Sequence, residues 1–174
     1  MKLFHVSEDP SIERFEPHIP VTQPDAPPLV WAIDEEHLAH YLFPRDCPRI
    51  CFWLGPETTP GDRDRFFGHT AAPKIIAIEI GWLERVRRAR LYVYEMPPET
   101  FALQDGFAGY YVSKAIVSPG KVELVDDVLS RLASSGVELR LTPSLWPLHD
   151  GLVPSTVPFS MVRLKNATPR RSTR

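Results

Sequence analysis

The sequence predicts an α+β fold in which strands outnumber helices, and three observations lead to this class. Apolar segments of strand length recur along the 174 residues, and most of the 19 prolines stand between these segments. The helical patterns span only one or two turns. Long helices do not alternate with the strands, which excludes a doubly wound parallel sheet.

The strands are predicted from apolar segments that end at turn residues. They fall at residues 2–6, 29–33, 48–54, 74–79, 90–96, 110–113, 121–125, 137–141 and 158–164. Alternation is clearest in the fifth of them, where Leu91 and Val93 face one way and Tyr92 and Tyr94 face the other. Such alternation is typical of a strand.

The predicted helices are short, and most have a local start or stop signal. Asp34 suits the N-cap of a helix that continues through Tyr41 and ends at Pro44. Further helical segments are predicted around Ile12 and Phe15, at 82–88, at 97–101 and from Asp126 or Asp127 to Ser134. The Pro-rich stretch 18–28 and the polar stretch 55–70 are predicted as loops, the second with room for one helical turn.

Composition and charge limit the class of protein. The formal net charge is −2, so no overall basic field attracts nucleic acid or an anionic membrane. No apolar run approaches the ~20 residues of a membrane span, and the N-terminus lacks the apolar core of a signal peptide. Cys47 and Cys51 are too few for a disulfide scaffold, so the expected compartment is a reducing cytoplasm.

A single domain is expected over residues 1–164, since the sequence shows no internal repeat and no second composition regime. Residues 165–174 are expected to form a disordered tail. This tail has four basic residues and no acidic residue. It is therefore the only place where a contact with nucleic acid is expected.

His5 is the first candidate for chemistry. It lies in the first predicted strand and points to the face opposite Phe4 and Val6. At a strand end, its ring N–H suits a ribose hydroxyl of a ligand, whereas the alternative is a structural histidine.

A second group consists of His37, His40, Cys47 and Cys51, whose residue types suit zinc. The two cysteines run into a strand, where their spacing holds them apart, and the metal motifs C-x-x-C and H-E-x-x-H are missing. We therefore predict no metal site, exposed histidines and buried cysteines. A Cys47–His pair in a small hydrolase stays as one alternative function.

The order of segments resembles the opening of the ADP-ribosyltransferase superfamily, whose pattern is L-x-H-G-[ST], then I-L-x-x-G-[LF], then G-x-Y-[FL]-[AST]. The matching segments run from Leu3 to Leu54. They are Leu3-Phe4-His5-Val6-Ser7, Ile12-Glu13-Arg14-Phe15-Glu16-Pro17, Leu29-Val30-Trp31-Ala32-Ile33-Asp34, the helix with Ala39 and Tyr41, and the strand 50–54. This resemblance implies an ADP-ribosyltransferase-like fold of mostly antiparallel, split sheets with short helices.

The resemblance also implies roles for single residues. In that superfamily the first-strand histidine bonds the adenosine ribose of NAD and a second-strand tyrosine stacks on nicotinamide. His5 matches the histidine, Ser7 matches the small hydroxyl residue, and Trp31 stands in the place of the tyrosine, where an indole can also stack. NAD is then a possible substrate, and no other cofactor is required.

The superfamily places a catalytic glutamate at the start of a late strand, often as E-Y-[IV]-V. The matching segment here is Gly109-Tyr110-Tyr111-Val112, so Gly109 stands in the place of the acid. Glu95 is the substitute carboxylate, which would stabilise positive charge beside the ribose. Tyr41, Arg45 and Tyr110 are further candidates for the ligand site; tRNA 2′-phosphotransferases of this fold lack the glutamate and use arginines.

Two longer segments resemble an uncharacterised bacterial domain family: Leu3-Phe4-His5-Val6-Ser7-Glu8-Asp9-Pro10 and Tyr41-Leu42-Phe43-Pro44-Arg45-Asp46-Cys47-Pro48-Arg49-Ile50. This second resemblance implies no activity. The leading hypothesis is binding of an NAD- or ADP-ribose-type nucleotide, with or without transfer catalysed by His5 and Glu95. A non-catalytic binding domain is the alternative that Gly109 favours. The leading hypothesis requires the rings of His5 and Trp31 to line one hollow.

Overall fold

The computed structural model describes residues 1–19 and 25–170 and confirms a mixed α+β architecture of mainly antiparallel sheets and short helices. The strands in these residues are β1 (Leu3–Ser7), β2 (Val30–Asp34), β3 (Arg49–Trp53), β4 (Lys74–Glu79), β5 (Leu91–Met96), β6 (Ala102–Asp105), β7 (Tyr110–Ser113), β8 (Lys121–Val125), β9 (Val137–Thr142) and β10 (Phe159–Val162). The helices are α1 (Pro60–Phe67), α2 (Leu83–Arg87), α3 (Val128–Ser134) and α4 (Trp146–Leu152).

The chain divides into two compact units, each built from two stretches of sequence. Unit 1 consists of Met1–Leu42 and Arg90–Asp126, and unit 2 consists of Phe43–Ala89 and Asp127–Arg174. No helix in the described part of either unit is long and apolar enough to cross a membrane.

Unit 1 contains a six-stranded sheet with the order β6-β7-β2-β1-β5-β8, in which all neighbouring strands are antiparallel. One face carries a core that includes Leu3, Ala32 and Tyr94. Tyr94 is fully buried, and its hydroxyl donates to the carbonyl of Asp9 (2.6 Å), which holds the loop after β1 against the sheet. Burial does not alternate along the central strands, because Ala32 and its neighbour Ile33 on β2, and Val93 and its neighbour Tyr94 on β5, are all buried.

Unit 2 contains a four-stranded sheet with the order β10-β3-β4-β9, in which β4 and β9 are parallel. β4 is buried along Ile75–Glu79, as expected of a strand covered on both faces. Phe52 on β3 contacts the rings of Phe66 and Phe67, which α1 brings against the sheet. These aromatic contacts form the centre of the core of unit 2.

Several local predictions were wrong. The stretch predicted as a loop contains α1, whose start is marked by Thr59, which accepts from the N–H of Asp62, and by Pro60 in the first turn. The helix predicted after Asp34 is a single 3₁₀ turn over Leu38–Tyr41. Phe15 forms an isolated antiparallel bridge with Val117 and is not part of a helical turn. Its backbone groups pair with those of Val117, a residue distant in the sequence, and not with groups of a neighbouring turn.

Strand β6 and helix α4 were not predicted. β6 has all four side chains exposed, so it lacks the apolar periodicity on which a strand prediction depends. α4 contains Pro147 and Gly151, which weaken a helical pattern, and tertiary contacts override that local preference.

The segment expected as a tail packs on unit 2 as far as Arg170. The N–H of Thr168 donates to Glu79 (2.9 Å), and the indole Nε1 of Trp146 donates to the Thr168 carbonyl (2.7 Å). Arg170 donates to both oxygens of Asp150 and holds the pKa of that carboxyl down, at about 2. Residues 171–174 of the expected tail and residues 20–24 of the predicted Pro-rich loop lie outside the described residues.

Candidate functional site

Three aromatic side chains of unit 1 lie together, one each from β2, from β7 and from the 3₁₀ turn that follows β2. The ring of Tyr110 lies edge-on to the ring of Trp31, with centroids 5.6 Å apart. It also contacts the ring of Tyr41, with centroids 6.0 Å apart, and the two hydroxyls are hydrogen-bonded. All three residues are partly exposed. We call this group the aromatic cluster; each of its members was a candidate ligand contact in the sequence.

The C-terminal end of β2 carries a hydrogen-bonded acid–histidine pair, and Asp34 lies on the face of the sheet opposite Trp31, because it pairs with Leu3. Asp34 Oδ1 accepts from Nδ1 of His37 (2.7 Å) and from the backbone N–H of His37 (2.9 Å). The ring of His37 lies edge-on to that of His40, with centroids 5.3 Å apart. The carboxylate therefore fixes the orientation of the His37 ring and assigns the proton to Nδ1.

The burial of His37 and His40 corrects the prediction that both are exposed: their exposed fractions are 6% and 1%. A buried polar ring needs hydrogen-bonding partners, and Asp34 supplies one for His37. Sequence reasoning missed this pair because Asp34 was interpreted only as the cap of a helix. The signal available in the sequence was an acid followed three residues later by a histidine. Many surface turns have the same spacing, so this signal does not identify a buried pair.

Gly109 packs directly against the Asp34–His37 pair. Its φ is +69°, and its carbonyl accepts from the N–H of Asp34 (3.0 Å). A Cβ at this position would lie 2.8 Å from Oδ2 of Asp34 and even closer to the ring of His37. The Asp34–His37 pair therefore fills the space that a side chain at position 109 would need.

The side chains of His5 and Trp31 lie on opposite faces of the sheet. Phe4 pairs with Ile33, so these two side chains share a face, and Trp31 lies two residues from Ile33 on the same strand. His5 alternates with Phe4 and thus points the other way, where its ring packs on Phe15 at 4.6 Å. The expectation that the two rings line one hollow is wrong.

His5 contacts Trp31 through the backbone instead. Its Nδ1 lies 3.0 Å from the carbonyl oxygen of Trp31, beyond the point where β1 and β2 cease to pair at Phe4 and Ile33. Ser7 lies on the same face as His5, and its hydroxyl accepts from the N–H of Asp9 (3.1 Å). The imidazole of His5 therefore contacts the backbone of Trp31 and lies on the opposite face of the sheet from the aromatic cluster.

Glu95 lies on the face that carries Trp31, because it pairs with Phe4 across β1 and β5. β5 is two strands away from β2 in the sheet order, which is about 10 Å at the usual strand spacing. Glu95 and the aromatic cluster are thus on one surface without direct contact. Arg45, the remaining candidate, is an exposed residue of unit 2.

Both cysteines lie buried in unit 2, as predicted, and neither suits nucleophilic catalysis. Burial raises the pKa of the Cys47 thiol to about 12, despite the opposing charge of Arg49, and it raises the pKa of Cys51 to about 12 as well. The thiolate is the reactive form, so the Cys47–His hydrolase alternative has no support in this geometry.

We expect both thiols to resist alkylation in the folded protein. A rise from 9.0 to about 12 lowers the thiolate fraction roughly 1,000-fold at pH 8, and burial slows the reaction further. Labelling with iodoacetamide, followed by mass spectrometry with and without denaturant, measures this difference. A native Cys47 that reacts as fast as in the denatured chain would contradict the buried placement.

Within residues 1–19 and 25–170, no group of three or more His, Cys, Asp or Glu side chains is arranged to hold a metal ion. His37, His40, Cys47 and Cys51 are not brought together as a ligand set in that part of the chain.

Comparison with known proteins gives one finding. The model of a family of unknown function, DUF6886, matches residues 4–167. Neither the curated proteins nor the solved structures compared with the chain include a match.

Proposed function

The chain belongs to DUF6886, a family of unknown function, and we propose that unit 1 binds a nucleotide of the NAD or ADP-ribose class beside Trp31. The observation that carries the proposal is the contact among the partly exposed rings of Trp31, Tyr41 and Tyr110. Aromatic surfaces bind bases by stacking, and the hydroxyls of Tyr41 and Tyr110 supply polar groups beside these rings.

The indole N–H of Trp31 adds a second reason. Nε1 is buried and has no hydrogen-bond acceptor among the described residues. An unsatisfied buried donor costs free energy, and an acceptor on a ligand base or ribose would remove that cost. The resemblance to ADP-ribosyltransferases supports this assignment at Trp31 alone, because His5 lies on the opposite face of the sheet, so the proposed site is the surface around Trp31 and not a hollow shared by the two rings.

The proposed activity is binding without transfer. Position 109 has no carboxylate, and the Asp34–His37 pair fills the space in which a side chain there would lie. Glu95 would reach a ribose only if the ligand extends about 10 Å across the sheet from the aromatic cluster. In this proposal His5 is a positioning residue, which holds the Trp31 carbonyl, and NAD is a ligand and not a consumed substrate.

We expect NAD, ADP-ribose or AMP to raise the melting temperature of the protein and to quench tryptophan fluorescence. Trp31→Leu removes the stacking surface, so we expect it to weaken binding at least about tenfold, as loss of one stacked base contact does. Isothermal titration calorimetry on the wild type and the variant measures the change. Trp82→Leu is the matched control, because Trp82 lies in unit 2 under the guanidinium of Arg85.

The outcomes separate three functions. Binding that is lost in Trp31→Leu and retained in Trp82→Leu supports the proposal, provided that NAD remains intact by chromatography. NAD turnover that Glu95→Gln abolishes would show a transferase or hydrolase instead. If none of the three nucleotides binds at millimolar concentration, the proposed function is wrong.

A further inference from the structure

The two edges of the sheet in unit 1 are built differently. β6 forms one edge, and its pairing with β7 is irregular between Leu103 and Asp105. Such an irregularity twists an edge and hinders the addition of another strand. β8 forms the other edge and pairs with β5 over five consecutive residues without a shift, so its outer side is a regular edge.

The side chains of β8 divide by charge and polarity between the two faces of the sheet. Val122 and Leu124 lie on one face and are 44% and 40% exposed. Lys121 and Glu123 lie on the other face, with Lys121 opposite Glu95 of the neighbouring strand. One face of this edge is therefore apolar and accessible, and the other carries two opposite charges two residues apart.

Two copies of β8 can complement each other, because each copy carries both a positive and a negative side chain on the same face. A twofold axis through Val122 would pair two copies of β8 antiparallel, with Val122 opposite its own copy. Lys121 of each chain would then lie opposite Glu123 of the other, which forms two opposite-charge pairs across the interface. An axis at Lys121 or at Glu123 would place like charges directly opposite, and an axis at Leu124 would form no Lys121–Glu123 pair, so the register centred on Val122 is the one in which these two charges attract each other.

We propose that β8 is a homodimerisation edge, at which a second copy of this chain extends the six-stranded sheet of unit 1. The backbone groups on the outer side of β8 pair across the axis, while on the apolar face Val122 packs on its own copy and Leu124 lies opposite Gly120 of the second copy, diagonal to the second Val122. The edge is short, so the interface belongs among the small specific interfaces, and the dimer is expected to be weak. The proposal is independent of nucleotide binding.

Two single-charge variants test the register directly. Lys121→Glu leaves only negative charge at the paired positions, and Glu123→Lys leaves only positive charge. Each variant alone should dimerise about tenfold more weakly than the wild type, since two attractive pairs become repulsive. Mixed in equal amounts, the two variants regain both opposite-charge pairs and should form a heterodimer about as strong as the wild-type dimer.

Sedimentation-equilibrium ultracentrifugation from about 10 to 500 μM measures all four samples, and circular dichroism confirms that each variant is folded. Leu103→Lys, at the opposite edge of the sheet, is the matched control and should leave dimerisation unchanged. If either charge variant does not fold, Val122→Lys replaces it and should abolish dimerisation. A wild type that stays monomeric up to 500 μM, or dimers that the charge changes do not weaken, would overturn the proposal, and the latter result would point to another surface.

Discussion

Gly109→Ala is expected to lower the free energy of unfolding by about 3 kcal/mol, through two separate costs. A φ of +69° strains any residue with a Cβ, at about 1 kcal/mol or more. The new methyl would also lie 2.8 Å from Asp34 Oδ2 and closer to the His37 ring. That ring is buried and held by the carboxylate, so it cannot move aside without losing its hydrogen bond. Urea unfolding followed by circular dichroism measures the loss.

Two other glycines separate these costs. Gly136 has a φ of +70°, and no atom lies within 4 Å of the place that a Cβ would take, so Gly136→Ala should show the backbone strain alone, about 1 kcal/mol. Gly61 lies in α1 with ordinary backbone angles and open space, so Gly61→Ala should be neutral or stabilising. Equal losses for Gly109→Ala and Gly136→Ala would show that the close approach of the Asp34–His37 pair has no energetic consequence.

The same packing bears on the proposed function. If Gly109→Ala is as costly as expected, a glutamate at this position requires the Asp34–His37 pair to move. Restoring the acid of the resembled superfamily by Gly109→Glu is then expected to yield an unstable protein and not a transferase. The proposal that unit 1 binds a nucleotide without transfer therefore depends on the same close packing of Gly109 that the unfolding measurement tests.

Phe52→Ala is expected to lower the free energy of unfolding by about 3–5 kcal/mol. Phe52 is fully buried at the centre of the core of unit 2, with the rings of Phe66 and Phe67 at 6.2 and 5.4 Å. Its removal leaves a cavity between β3 and α1 that a close-packed core cannot collapse to fill. Denaturant unfolding of the wild type and the variant measures the loss.

Phe107→Ala is the control for this change, because the side chain of Phe107 is 58% exposed and a similar truncation there should cost less than about 0.5 kcal/mol. Phe52→Leu keeps most of the volume and should fall between the two. A loss below about 1 kcal/mol for Phe52→Ala would mean that the aromatic contacts of α1 do not stabilise unit 2.

Local sequence patterns predicted the strands well because apolar residues recur in segments of strand length that end at turn residues. The alternation in 90–96 predicted β5, and the apolar run of 74–79 predicted β4 with the bounds found. The patterns also showed that His5 points away from Phe4 and Val6. They failed for α1, where the start signal of Thr59 and Pro60 was available but the charged sequence of the helix hid its single apolar side.

The class of fold and the position of most strands could be predicted from the local spacing of apolar residues, and the burial of both cysteines from their residue type. The placement of His5 and Trp31 on opposite faces could not, because it depends on the register between β1 and β2, in which these two residues lie 26 positions apart in the sequence. A shift of one residue would have placed both rings on the same face. The approach of Gly109 to the Asp34–His37 pair was likewise decided by pairing across the sheet, which no local pattern encodes.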